Sequence, residues 1–512
     1  MNLRLLPGVF IALLMTTSVG AMQDHDGDHQ ITDAEALGVV TFQPACDGVS
    51  ANAFDRGLAL KHHMMYEQAR DAFRTLAEND PDCAMAHWGV AATWFQPLWP
   101  GRPDQDVLNA GRQAIERARE AEPEDAREIA LIDALGAFFQ GDTRLGYRDR
   151  LDAWADGMAA AYADHPDDLD IAALYGLSRL ALAMAADGET RDHLHDEAEA
   201  VLQQVWQQEN AHPGAVHYAI HATDVDGRAG NALPMVESYS AIAPNVPHAL
   251  HMPSHIYVRL GDWDEVIAWN RRSADVALEH EVNGAVSFHY IHAMDYLVYG
   301  YLQRGQFEKA ESAYREAMKV ERHQPGFAAA YHAAAMPARL AVEQREWNVA
   351  RDLMIRSPDY LPWAQSYWPE GITWYGRGLG AIHTDDRALA EEAEKRLATL
   401  RDLARDEGED RFATYIEVDR LLLAGWIEHA AGNMERAVTL MEEAAELEGT
   451  VEKDPVSPGA LYPPYEALGD LLLALARPDE ALQAYQASDA IWPARYNTLA
   501  GMERARGQIG GR

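Results

Sequence analysis

A chain of 512 residues exceeds what one compact core usually holds, so it reads as several domains or as a repeat array. Its 48% hydrophobic content excludes a largely disordered polymer, and the abundance of alanine, leucine, glutamate and arginine favours helices over strands. A net charge of −38 argues against nucleic acid and anionic membrane as partners, since both present the same sign of charge.

In chain order, residues 1–21 read as a signal peptide. Arg4 supplies the positive start, Leu5 to Met15 the apolar stretch, and Val19-Gly20-Ala21 the small residues of a cleavage site. No cysteine follows that would carry a lipid, and no later run approaches the roughly twenty apolar residues of a membrane span. The expected location is therefore periplasmic or secreted. Residues 22–45 form an acidic leader. Within it Asp24, Asp26, Asp28 and Glu35 resemble the acids at positions 1, 3, 5 and 12 of an EF-hand calcium loop. His29 stands where that loop turns on glycine, and the helix that should precede the loop would fall inside the signal. Calcium binding and a merely solvated acidic leader both stay open here. The two cysteines, Cys46 and Cys83, would in an oxidising compartment either pair or persist as buried thiols.

From residue 46 to 512 a repeat emerges by spacing. Gly57, Ala69, Phe73 and Pro81 stand 12, 4 and 8 residues apart, and Gly469, Ala481, Tyr485 and Pro493 repeat the same intervals. Ala310, Tyr314 and Ala317 after Gly305, and Ala437, Met441 and Ala444 after Gly432, are partial copies. Small residues let two antiparallel helices approach, the aromatic fills the gap to the next pair, and proline stops the second helix. Turns such as Leu260-Gly261-Asp262-Trp263 and Arg304-Gly305-Gln306-Phe307 join the helices of a pair. The stretches Pro97 to Pro103 and Pro455 to Pro464 read as loops within the array. This pattern resembles the tetratricopeptide repeat family. The resemblance implies an all-α, right-handed superhelical solenoid of about ten to twelve helix hairpins with a concave ligand-binding groove.

Nine of the 21 histidines lie between His212 and His292. With Pro213 at repeat position 1, His217, His221 and Asp224 occupy positions 5, 9 and 12. Pro247 follows 34 residues on and places His248, His251 and His255 at 2, 5 and 9. His292, Asp295 and Tyr299 take 2, 5 and 9 of the next repeat, and His332 and Arg339 take 2 and 9 of the one after. Those positions form one helical stripe, which in the tetratricopeptide family lines the groove. Neighbouring first helices pack roughly 10 Å apart, so their side chains converge over residues 212–340. Pro253 and Pro337 fall inside these helices and are expected to bend them. Together with His289, the set resembles a group of exported bacterial tetratricopeptide proteins.

Imidazoles in this pattern point to a transition metal ion: zinc, copper, iron, nickel or, with carboxylates, manganese. His217, His221, His251 and His255 are the preferred ligands. His248, His289, His292, Asp224 and Asp295 serve as further ligands or as their support. The alternative is a metal-free scaffold that holds a peptide or protein in the groove, with Tyr299, His332 and Arg339 offering hydrogen bonds. No HExxH, G-x-S-x-G or P-loop occurs. An activity would therefore follow from the metal, as a hydrolase or an oxidoreductase with Asp224 or Asp295 as general base, and the balance of residues leans against an enzyme. Outside the stripe, His62-His63 and His193-x-His195 read as solvated surface pairs.

Overall fold

The computed structural model describes residues 36–46, 51–99 and 102–511. The signal peptide and the calcium-loop residues Asp24, Asp26, Asp28 and Glu35 lie outside them. The described residues hold 24 α-helices and one two-stranded ribbon, Glu281–Val282 with Ala285–Val286. Pro247–His251 and Pro253–Leu260 are the two arms of one helix bent at Met252, where Pro253 supplies no backbone donor. Pro337 lies within the single Phe327–Glu343 helix. With the bent helix taken as one, the helices pair into eleven antiparallel hairpins followed by a lone terminal helix, Tyr496–Gly510. The chain is thus an all-α, tetratricopeptide-type solenoid.

The packing of the repeat has a simple steric basis. A Cβ on Gly57 would lie 2.8 Å from the Phe73 ring, and one on Gly89 would lie 2.3 Å from it. At the other end, Tyr485 sits against Gly469 and Gly501, whose added Cβ atoms would approach its ring to 2.7 and 2.4 Å. In each case the aromatic of one hairpin is clamped between a glycine of its own first helix and a glycine of the next, so the hairpin stack has no slack. The turns at Gly261 and Gly305 adopt φ +70° and +65°, which glycine reaches without steric cost.

The solenoid also closes on itself. Its first helix, Ala51–His62, packs against Pro213–Thr223 in the fifth hairpin. At the far end, Tyr496–Gly510 returns to Phe288–Gln303 in the seventh. Arg495, fully buried, ties this return to Glu343 at 2.5 Å and Glu466 at 3.1 Å. The segment before the first helix is strapped across the array: Cys46 is disulfide-bonded to Cys83, and Asp170 accepts the backbone N–H groups of Thr41 (2.7 Å) and Phe42 (2.8 Å). No helix among the described residues is long and apolar enough to cross a membrane.

Candidate metal centre

The histidine stripe converges as its register predicts, but it does not line an open trough. His217, His248, His251, His255, His289 and His292 are buried, and only His221 keeps partial exposure. Two of the chain's own loops cover them. Trp99, from the Pro97–Pro103 interruption, lies against the rings of His248, His289 and His292 at 5.5, 6.2 and 5.9 Å. The segment 451–463 enters the groove from the other side. Tyr296 donates to the carbonyls of Pro455 and Ser457 at 3.0 Å, Tyr331 donates to the Ser457 hydroxyl at 2.6 Å, and Arg339 holds the Gly459 carbonyl at 2.9 Å. Both loops were legible as interruptions, but no local signal in them says that they turn inward.

Which nitrogens carry protons follows from the partners of each ring. Asn270 donates its amide to the Val266 carbonyl (2.7 Å), so its oxygen faces His251 Nδ1 (2.7 Å) as an acceptor. His251 Nδ1 therefore carries the proton and Nε2 the lone pair. Burial alone would raise the Asp224 carboxyl, yet Lys453, Arg259 and His255 hold it well below the usual carboxylate range. Ionised, it accepts from His255 Nδ1 at 2.9 Å, which leaves a second lone pair on His255 Nε2. The two Nε2 atoms are 3.0 Å apart. Two lone pairs at that distance repel unless a cation or a shared proton lies between them.

The third ring repeats the logic through a longer relay. Asp295, paired with Arg339 at 3.1 Å, accepts from His332 Nδ1 at 3.0 Å. His332 Nε2 then accepts from His292 Nδ1 at 2.8 Å, and His292 Nε2 is buried without a hydrogen-bond partner. His251, His255 and His292 thus aim three lone pairs inward, their ligand atoms within 4.8 Å of one another. Each is oriented from behind by an amide, a carboxylate or a carboxylate–histidine pair, as in metal sites.

A second triad adjoins the first. His217 donates Nδ1 to the His62 carbonyl at 2.6 Å, and its Nε2, the Nε2 of His221 and both nitrogens of His248 are buried without partners. These three rings also place a ligand atom each within 4.8 Å. His289 Nδ1 is unpartnered as well, on a ring 5.0 Å from that of His248. Burial pushes the histidines of both triads and His289 below their ordinary range, His221 and His289 to about 3, so they stay neutral with lone pairs available.

The carboxylates stand behind this chamber. Both Asp224 oxygens are taken by His255, Arg259 and Lys453, and both Asp295 oxygens by His332 and Arg339. Tyr299 is farther off, accepting from Arg495 and packed on Trp263. Sequence reasoning missed Asn270, Lys453 and Trp99, none of which shares the stripe's register. It also misplaced His62 and His63, which are buried rather than solvated. His62 bridges Asp170 and Tyr218 at 3.0 Å each, and His63 bridges Tyr239 and the Leu37 carbonyl at 3.0 Å each. His195 is buried too, against the Ala222 carbonyl at 3.1 Å, while His193 is exposed as expected. His62, Asp170 and His212 form a third polar cluster, but Asp170 is saturated there by backbone and imidazole donors.

No known family's sequence profile matches the chain, and no curated protein matches it. Solved structures do. The Cut9–Hcn1 hetero-tetramer of APC/C matches at 11% identity over 90% of this chain and 77% of that one, with TM-score 0.39. Yeast Tom70 matches at 11% over 90% and 88%, TM-score 0.33, and the P58(IPK) TPR domain at 12% over 90% and 98%, TM-score 0.21. Likeness this distant says nothing about activity, and the tetratricopeptide-type architecture rests on the helix pairing above.

Proposed function

We propose that this protein is an exported, transition-metal-binding tetratricopeptide-type solenoid whose histidine chamber holds the metal. The observation that carries the reading is the 3.0 Å approach of two Nε2 lone pairs on His251 and His255, each fixed by a partner behind it. An all-imidazole donor set suits zinc, copper, iron or nickel better than manganese or calcium, which favour oxygen. The Cys46–Cys83 disulfide supports an oxidising compartment, in line with the signal peptide read from the first 21 residues.

A second reading, a scaffold that holds a partner segment, draws on the helical-hairpin solenoid and on the hydrogen bonds by which Tyr296 and Arg339 hold backbone carbonyls, and Tyr331 a serine hydroxyl, of a loop. That backbone belongs to the chain's own segment 451–463, which favours the metal reading at the histidines.

Elemental analysis of untagged mature protein, beside a His251→Ala/His255→Ala variant, tests the proposal. The expected outcome is near-stoichiometric transition metal in the parent and its loss in the variant at unchanged helicity. A parent that is metal-free and takes up none of zinc, copper, iron, nickel or manganese on titration overturns it and leaves the scaffold.

A further inference from the structure

Resting on the metal reading, we infer that the chamber holds two ions rather than one, and that only the ion at His217, His221 and His248 has a position open to a small anionic ligand from outside.

The donors divide into two sets with no member in common, and in each set three ligand atoms lie within 4.8 Å. Within each set one ring contacts the other two at 4.1 to 5.1 Å: His251 meets His292 at 4.1 and His255 at 4.8 Å, and His217 meets His248 at 4.9 and His221 at 5.1 Å. Across the sets the nearest rings are farther, His221–His255 at 5.8 and His248–His251 at 6.0 Å. Metal–imidazole bonds are about 2.0–2.1 Å long, so one ion reaches one set and not both. The chamber is therefore a pair of adjoining three-nitrogen sites.

The two sites differ in what borders them. Around His251, His255 and His292, every ring is locked from behind by Asn270, Asp224 or His332, and the rings are buried. His221 instead forms part of the wall of a cavity of about 1400 Å³, together with Trp99, Asp224, Arg191 and Lys453. That cavity is large enough to admit small molecules to one side of the chamber. Reactive metal sites keep a coordination position open whereas structural sites are closed, and of the two triads only this one has a ligand ring in the wall of that cavity.

Charge identifies the ligand class. Six neutral imidazoles bring no negative charge, and Asp224 and Asp295 are already neutralised by Lys453, Arg259 and Arg339. Two divalent cations buried there would be uncompensated, which is costly in a low-dielectric interior. A small anionic donor such as hydroxide, entering through the cavity beside His221, offsets part of that charge and is favoured over a neutral ligand.

The experiment uses the full mature chain, stripped with chelator and titrated with Co²⁺, followed by visible absorption and elemental analysis, with azide as the anionic probe. Two Co²⁺ per chain are expected, with azide shifting part of the spectrum. His221→Ala should bind one Co²⁺ and lose the azide response; His292→Ala should bind one and keep it. His292→Gln serves if the alanine variant loses helicity. Saturation of the parent at one Co²⁺, or an azide response lost or kept in both variants alike, overturns the inference while leaving the metal reading intact. Failure to bind any Co²⁺ removes both.

Discussion

At the scale of single residues, the chamber depends less on its histidines than on the groups that decide which nitrogen of each ring carries a proton. Asn270 is the clearest case: its own amide is committed to Val266, so it can only accept from His251. Asn270→Ala removes that constraint without touching a donor nitrogen. Metal affinity is expected to fall about 10- to 100-fold, read by competition with a chromophoric chelator, with helicity unchanged. The members of both triads were legible in the sequence because repeat position places them on one stripe. Asn270 lies on a second helix, Trp263–Ala277, and reaches the site only because that helix packs behind the bent pair of arms at Met252.

Among the elements, the glycine–aromatic clamps set how closely hairpins stack. Gly501 in the terminal helix touches Tyr485 of the preceding hairpin, whereas Gly507 on the same helix faces open space. Gly501→Ala is expected to destabilise by about 1–3 kcal/mol, because the added methyl must displace an aromatic ring in a full core. Gly507→Ala should be neutral or slightly stabilising, since alanine is the better helix former. Chemical denaturation midpoints of the two variants check the contrast. The first and last repeats were readable at this scale because their glycine, alanine, aromatic and proline positions keep the intervals. The middle ones are built from the same hairpins on looser spacing, and Pro253 divides one helix that the register alone treats as whole.

For the whole molecule, folding buries neutral histidines outside the two triads as well as in them. Burial pushes His63, His323 and His383 down to about 4. Their folded values lie below the ordinary value near 6.5, so the unfolded chain binds protons more readily. Each therefore subtracts stability as pH falls from about 6.5 towards about 4, and none does so above that window. Metal-free protein should accordingly show a melting temperature that drops steadily across that range and is flat from pH 7 to 8; calorimetry at fixed ionic strength checks it.

What the sequence by itself determined is everything that depends on local spacing: the helical hairpins, their turns at glycine, and the stripe that brings His and Asp to one side of the first helices of four successive hairpins. Position within a repeat fixes where on a helix a side chain points, because the helical period is invariant. Only the tertiary structure decided that this side is an interior. The returns of Ala51–His62 onto Pro213–Thr223 and of Tyr496–Gly510 onto Phe288–Gln303 join residues some 150 to 200 apart. The bond from Lys453 to Asp224 spans 229 positions. Such contacts follow from the pitch accumulated over many hairpins and from loops that fold inward. No repeat interval encodes either, and together they turn a polar groove into two buried sets of lone pairs.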